Sequence, residues 1–85
     1  MIKNFIKKPT QVQAVQWTGY NFDEIAEIAG KDNFHIFGNF ENPELFILTS
    51  EGYCPVNIGN WIVCGANGKL HLYNPYIFEK TYMEV

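Results

Sequence analysis

The sequence predicts an α+β domain: a curved, mostly antiparallel β-sheet or small partly open barrel, with one main helix and a short C-terminal helical turn. Three observations support this fold class. Several β-forming runs are joined by short turns, which favours antiparallel pairing. One segment has a helical apolar stripe, and one Asn-Pro pair near the C-terminus is typical of a helix start. The 85 residues, with no repeat or linker, fit one domain over residues 1–85.

The first predicted strand is Gln11–Trp17, where apolar and polar residues alternate as in a half-buried strand. The alternation changes phase in the middle of the strand: Val12 and Ala14 lie on one face, whereas Val15 and Trp17 lie on the other. A β-bulge at Ala14-Val15 would bring Val12, Val15 and Trp17 to one side. We therefore expect a bulged strand that aims Trp17 inward.

The main helix follows. Asn21 is the expected N-cap, and Glu24 three residues later completes a capping box with Asn in place of Ser or Thr. Tyr20, just before the cap, is expected to pack on Ile25 as a hydrophobic staple. Gly30 is the expected C-terminal stop. The apolar stripe consists of Phe22, Ile25, Ile28 and Ala29.

Five further β-rich runs follow: Asn33–Phe40, Glu44–Thr49, Tyr53–Val56, Asn60–Cys64 and Lys69–Tyr73. Pro55 lacks a backbone donor, so its run is expected to be an edge strand or a short one. Asn67-Gly68 favours a tight hairpin between the last two runs. A two-residue loop would place Cys64 opposite His71, whereas a three-residue loop would shift the register by one.

The chain ends in a second helical segment. Asn74 is the expected cap, with Pro75 at the first helical position. The helical turn is expected to run to about Lys80, and Thr81–Val85 is a candidate last strand of the sheet.

The charge balance excludes some classes of partner. The net charge is −3 and the chain has no Arg, which argues against direct nucleic-acid binding. Lys3, Lys7 and Lys8 are interpreted as a solvated start that blunts a strand edge. They also interrupt any apolar run, which argues against a signal peptide, and no segment has the roughly 20 apolar residues of a membrane span. We therefore expect a cytoplasmic protein with reduced thiols.

No catalytic or metal-binding pattern is evident. The candidate groups are Cys54, Cys64, His35 and His71, and they lack the spacings typical of zinc ligands. Cys64 with His71 is the one pair that the hairpin could bring together. The more ordinary interpretation is that Cys64 packs as a small hydrophobe. The sequence thus predicts no enzyme, no metal and no cofactor.

The aromatic residues are the remaining feature: seven Phe, five Tyr and two Trp. This abundance provides a core or, in part, an interface, so a homo-oligomer is possible. Expected structural anchors are Trp17, Trp61, Phe78 and Tyr82. An exposed aromatic surface for protein docking or stacking is the alternative use of such residues. Its candidate members are Tyr20, Tyr53, Tyr73 and Tyr76, of which the last three flank turns.

Three segments carry a resemblance: KKPTQVQAVQWTG at 7–19, IGNWIV at 58–63 and IFEKTY at 77–82. The chain resembles small uncharacterised phage- and prophage-encoded proteins with KKP…AVQWTG, G-D/N-W-I-V and IFEKTY motifs. The commonest form of that family has Asp at the position of Asn60. The resemblance implies that the chain acts in the cytoplasm of a host bacterium.

The class of small phage proteins implies a non-catalytic role that counters bacterial defence. The expected mechanism is stoichiometric inhibition of a host immune protein, such as a CRISPR effector. A small-molecule binder that sequesters a nucleotide immune signal is the alternative, as is an accessory phage protein of another role. Aromatic stacking favours the small-molecule binder, whereas the missing Arg disfavours it.

Overall fold

A computed structural model describes residues 1–7 and 10–84. It confirms the α+β class, with two helices and two antiparallel sheets, neither of which closes into a barrel. The elements are β1 (Lys3–Lys7), β2 (Thr10–Gln16), α1 (Phe22–Ala29), β3 (Phe34–Gly38), β4 (Pro43–Thr49), β5 (Gly52–Val56), β6 (Trp61–Cys64), β7 (Leu70–Tyr73), α2 (Pro75–Thr81) and β8 (Met83–Glu84). Val85, at the end of the predicted last strand, lies outside the described residues.

The strands form a large sheet in the order β7-β6-β2-β1-β8 and a small sheet in the order β3-β4-β5. The sequence does not predict β1, because the lysines of this segment are typical of a solvated start. The strand pairs with β2 from Lys3↔Ala14 to Lys7↔Thr10, and β8 pairs on its other side. Only its neighbours reveal β1, since a short strand with Lys at both ends has little apolar periodicity of its own.

The predicted bulge in β2 is wrong. The register of β2 is unbroken against both β1 and β6, so no residue is inserted at Ala14-Val15. Both faces of β2 are instead buried: Val12 and Ala14 contribute to one core, Val15 and the following Trp17 to another. The phase slip in the sequence therefore marks a central strand with packed layers on both sides.

Two hydrophobic cores result. The inter-sheet core lies where α1, the small sheet and one face of the large sheet meet, and its buried members are Val15, Trp17, Ile25, Ile28, Ala29, Leu45, Ile47, Val56, Ile62 and Leu70. The α2 core covers the opposite face of the large sheet, and its buried members are Phe5, Val12, Ala14, Val63 and Phe78. The large sheet is thus the middle layer of the molecule.

The apolar stripe of α1 is confirmed. Its buried residues are Ile25, Ile28 and Ala29. Phe22 packs edge-on against Trp17, with ring centroids 5.4 Å apart. Gly30 ends the helix as expected: its φ is 81°, and its N–H donates to the carbonyl of Ala26. A positive φ of this kind strongly favours glycine.

The predicted capping box is wrong. The side chain of Asn21 makes no cap hydrogen bond to α1. Its Oδ1 accepts from the N–H and hydroxyl of Thr18, and its Nδ2 donates to the carbonyl of Gln16 and to Glu24. Asn21 thus holds the loop after β2 rather than the helix end. The staple is also wrong, because Tyr20 is 81% exposed.

The β6–β7 hairpin has the register of the three-residue alternative, with Val63 opposite His71. The N–H of Gly68 donates to the carbonyl of Gly65 at 2.9 Å, and Gly68 has a φ of 79°. This is the arrangement of a turn followed by a left-handed residue, which fits a three-residue hairpin loop. Asn67-Gly68 therefore forms a hairpin, but not the two-residue one.

The second helix starts as predicted. Asn74 Oδ1 accepts from the N–H of Ile77 at 2.8 Å, and Pro75 occupies the first helical turn. The helix ends at Thr81, close to the predicted limit. The chain then returns to the large sheet, where Met83–Glu84 pairs with β1.

Candidate functional site

The predicted anchors lie in the two cores. Trp17 and Phe78 are each 1% exposed. Trp61 stacks on Phe78, with centroids 4.2 Å apart and an interplanar angle of 7°. The Trp61 Nε1 is buried and has no hydrogen-bond partner among the described residues, so this side chain acts through ring packing. These aromatic residues hold layers together and are not displayed for binding.

Segments 7–19 and 58–63 meet through hydrogen bonds, and segment 77–82 contacts the second of them through the Phe78–Trp61 stack. The N–H of Trp17 donates to the carbonyl of Asn60, and the N–H of Gly59 donates to the carbonyl of Trp17. Gln16 Nε2 also donates to the carbonyl of Gly59 at 3.0 Å. Asn60 Oδ1 accepts from the N–H of Asn57 at 2.9 Å, a bond that an Asp carboxylate would also accept. The two motifs therefore join β2 to β6.

Tyr73 was predicted to be exposed, and this is wrong. It lies half-buried against the α2 core, with its ring centroid 5.6 Å from that of Tyr82. Burial raises the pKa of Tyr82 to about 12, and the Tyr82 hydroxyl donates to the Tyr73 hydroxyl at 3.5 Å. Tyr73 lies beside the turn that precedes α2, and α2 packs back over the Tyr73 ring.

The other three candidate tyrosines are exposed but do not share one surface. Tyr20 lies in the loop before α1, Tyr53 on β5 and Tyr76 on α2. Lys80 Nζ sits 4.3 Å from the centroid of the Tyr76 ring. Only Tyr53 belongs to a larger aromatic cluster.

That cluster covers the outward side of the small sheet and is called here the outer aromatic face: His35, Phe37, Phe46, Leu48, Tyr53 and Pro55. Strand pairing aligns these side chains, because His35 and Pro55 both lie opposite Phe46. Ring centroids are 5.0 Å apart for His35 and Tyr53, and 5.4 Å apart for Phe37 and Phe46. The alternate residues of β4 point inward to the inter-sheet core.

The outer aromatic face is open to solvent. Phe37 is 55% exposed and Tyr53 is 46% exposed. Glu44 lies opposite Phe37 at one end of the β3–β4 ladder and so places a carboxylate at the margin. The centre of the face, around Phe46, is uncharged apart from the ionisable His35. Such a surface gains free energy when it is covered by another apolar surface.

A groove adjoins this face. It has a volume of about 330 Å³ and is lined by Phe46 and Pro55 of the face together with Pro43 and Ile58. The side chain of Ile58 is largely exposed at its rim. This Ile58 groove is a recess large enough to admit a side chain beside the aromatic surface, which is the geometry that an anchor residue of a partner needs.

A second concave region lies at the opposite end of the small sheet. This hairpin cleft has a volume of about 350 Å³ and is lined by Thr49, Ser50, Glu51, Cys54, His71, Leu72 and Tyr73. Cys54 Sγ lies 3.5 Å from Thr49 Oγ1. The cleft brings polar side chains of the β4–β5 turn against β7.

The suggested Cys64–His71 pair does not form. Cys64 lies opposite Leu70, and His71 lies opposite Val63. Since successive side chains in a strand point to opposite faces, Cys64 and His71 project on different sides of the large sheet. Within residues 1–7 and 10–84, no three His, Cys, Asp or Glu side chains are grouped closely enough to hold a metal ion.

Most of the outer aromatic face is not predicted by the sequence pattern, although β4 carries a signal. Its segment Leu45–Leu48 is apolar at four successive positions, a pattern typical of a strand that is covered on both faces. In the structure, Leu45 and Ile47 are buried, whereas Phe46 and Leu48 lie on the open side. The absence of alternation in β4 thus indicates an apolar surface that the described chain does not cover.

No protein-family model, curated protein or solved structure matches this chain. In the part of the chain that the structure describes, neither α1 nor α2 has the length and apolar character needed to cross a membrane. The function is therefore inferred from the surface residues themselves.

Proposed function

We propose that this chain is a non-catalytic binding protein that docks a host bacterial protein through the outer aromatic face. The observation that carries the proposal is the ring cluster on the open side of the small sheet, in which Phe37 packs on Phe46 and Tyr53 packs on His35, with Phe37 and Tyr53 exposed. Binding energy in protein interfaces is concentrated in a few aromatic anchors surrounded by weaker contacts. A sheet-borne cluster holds such anchors rigidly, so little side-chain freedom is lost on binding.

The charge distribution supports docking of a protein rather than a nucleic acid. The centre of the face is uncharged, so covering it removes few polar groups from water. The chain has a net charge of −3 and no Arg, so the surrounding surface favours a partner with a basic rim. A basic groove that normally holds nucleic acid would provide such a rim.

The resemblance to phage and prophage proteins supports the identity of the partner class. The partner is a bacterial defence protein, such as a CRISPR effector, and this chain inhibits it stoichiometrically in the cytoplasm of the infected bacterium. Inhibition requires only that the docked chain cover the surface through which the effector binds its nucleic acid or substrate. No catalytic residue of this chain takes part.

Substitutions on the face test the proposal. Phe37→Ser and Tyr53→Ser are each expected to weaken binding to the inhibited effector by about 2 kcal/mol or more, roughly 30-fold in Kd. Tyr76→Ser removes an even more exposed aromatic side chain from α2 and is expected to leave Kd unchanged. The measurements are plaque formation by a CRISPR-targeted phage on bacteria that express each variant, and Kd by calorimetry with the purified effector.

The two parts of the proposal fail separately. If the wild-type chain rescues no phage from any defence system in a panel, the anti-defence role is wrong. If it does rescue phage and Phe37→Ser and Tyr53→Ser rescue equally well, the role stands but the outer aromatic face is the wrong surface. Far-UV circular dichroism of each variant shows whether a loss of rescue reflects unfolding.

The hairpin cleft supports a second candidate, a small-molecule binder. Its volume of about 350 Å³ lies within the range of roughly 300–1,000 Å³ typical of ligand pockets. His71 lines the cleft and is its candidate ligand-binding side chain, whereas the Tyr73 ring packs against the α2 core. Glu51 also lines the cleft, and its carboxylate disfavours the phosphates of a nucleotide signal. The candidate is therefore weaker for nucleotides than for neutral or cationic ligands.

Native mass spectrometry with cyclic nucleotides separates the two candidates. We expect the wild-type chain to retain none of them at concentrations where specific binders are saturated, because the cleft offers a carboxylate where phosphate needs a cation. Retention that is lost in His71→Ala and kept in Phe37→Ser would move the function to the hairpin cleft.

A further inference from the structure

The small sheet has two edges of different character. The β5 edge contains Pro55, which has no N–H to donate to another strand. The β3 edge contains Phe34–Gly38, whose sequence Phe-His-Ile-Phe-Gly has neither proline nor a formal charge at pH 7. Natural edge strands are usually protected by such residues, so an unprotected one is a template for another strand.

The backbone of β3 is oriented for such pairing. The N–H of Leu48 donates to the carbonyl of Asn33 at 2.8 Å, in line with the β3–β4 register. Hydrogen-bonded pairs alternate along an antiparallel ladder, so His35 and Phe37 bond to β4. The N–H and C=O groups of Ile36 then point away from β4, toward the free edge. The side chain of Ile36 is 40% exposed although it lies on the inner face.

We propose that a second copy of this chain pairs antiparallel with β3 about a twofold axis at Ile36. This register places Ile36 opposite its own copy and Phe34 opposite Gly38, and it forms about six backbone hydrogen bonds. β3 has five residues, and the N–H and C=O groups of its central residue, Ile36, point to the free edge. When β3 pairs with a copy of itself, each of these groups therefore meets the complementary group of the copy. Such self-pairing is the isologous contact of a twofold dimer.

The charge at the contact is compatible with a second copy as the occupant. Two chains of net charge −3 repel each other overall, and this repulsion is weakest at a contact segment that carries no charge, such as β3. The register brings the turn that carries Glu41 toward the Lys31–Asp32 segment of the second copy. The positive charge of Lys31 and the negative charge of Asp32 sum to zero, so the carboxylate of Glu41 faces no net negative charge. The contact between the two β3 strands is thus uncharged at its centre, and at each end the Lys31 and Asp32 charges offset each other.

Pairing at β3 merges the two small sheets into one continuous sheet. The twofold axis is perpendicular to that sheet, so both outer aromatic faces lie on the same side. Phe37 of one copy then lies opposite His35 of the other, and the apolar surface doubles in extent. The dimer does not depend on the proposed function, since Ile36 points to the inner face and does not belong to the outer aromatic face.

Sedimentation velocity over a concentration series tests the dimer. The wild-type chain is expected to shift from the 9.8 kDa monomer to twice that mass as concentration rises. Ile36→Lys puts two ammonium groups opposite each other across the axis and is expected to raise the dimer Kd at least about tenfold. Ile36→Val keeps the apolar strand and is the matched control, expected to dimerise like the wild type. Circular dichroism reports whether each variant is folded.

Amide hydrogen exchange gives a second readout that needs no substitution. The Ile36 amide is expected to be protected at high concentration and to exchange faster on dilution, whereas the Phe37 amide, bonded to β4, keeps its protection. A monomeric mass at every concentration would overturn the proposal. So would a folded Ile36→Lys variant with wild-type dimerisation, or an Ile36 amide whose exchange does not depend on concentration.

Discussion

Phe78→Ala is expected to lower the free energy of unfolding by about 3–5 kcal/mol, the usual cost of truncating a buried Phe. Phe78 is 1% exposed, its ring stacks on Trp61 at 4.2 Å, and it lies 4.8 Å from the ring of Phe5. It is the α2 residue that fills the α2 core. Since domains of this size commonly have only about 3–5 kcal/mol of stability, much of the variant should be unfolded.

Urea denaturation followed by tryptophan fluorescence measures this effect. Ile77→Ala is the matched control, because Ile77 is the preceding residue of α2 and is exposed; it should change stability by less than about 1 kcal/mol. Phe78→Leu leaves a smaller cavity and gives an intermediate value if the alanine variant does not fold. A wild-type midpoint for Phe78→Ala would mean that α2 does not pack on the large sheet.

Trp17→Ala is expected to cost about 3–5 kcal/mol as well, through the inter-sheet core. Trp17 is 1% exposed and contacts Phe22 of α1 edge-on. Its backbone bonds to Asn60 and Gly59 do not require the indole, so the loss comes from the cavity and the missing apolar contacts. The variant should therefore loosen α1 and the small sheet before it affects the α2 core.

Denaturation followed by far-UV circular dichroism, which does not rely on the deleted indole, measures this loss. Tyr20→Ala is the control, because it removes a largely exposed aromatic side chain three residues away; its effect should stay within about 0.5 kcal/mol. Equal midpoints for Trp17→Ala and Tyr20→Ala would contradict the position of Trp17 in the inter-sheet core.

Features that depend on a few neighbouring residues could be predicted from the sequence. The start of α2 is an example, because Asn74 caps the N–H of Ile77 only three residues away. The apolar stripe of α1 and its end at Gly30 are others. Asn21 has the same cap chemistry but a different outcome, because its side chain bonds to Gln16 at the end of β2 and to Thr18 in the loop that follows. Both bonds are local, so a competing arrangement of the preceding residues displaces the cap.

The phase slip in β2 shows why pattern alone was insufficient. A bulge and a strand buried on both faces produce the same sequence pattern around Ala14 and Val15. Choosing between them requires knowing that α2 covers one face and that the small sheet with α1 covers the other. The same limit applies to β1, which is recognisable through its pairing with β2 and β8.

The sequence by itself determined the α+β class, both helices, the β-rich runs from Gln11 to Tyr73 and the abundance of aromatic residues. The tertiary structure alone decided which aromatic residues are covered. Burial depends on segments distant in the chain: the large sheet and α1 cover the inner side of the small sheet, and α2 covers the far side of the large sheet. Within residues 1–7 and 10–84, no such layer covers the outer aromatic face or the β3 edge, so the side chains of His35, Phe37 and Tyr53 are exposed to solvent.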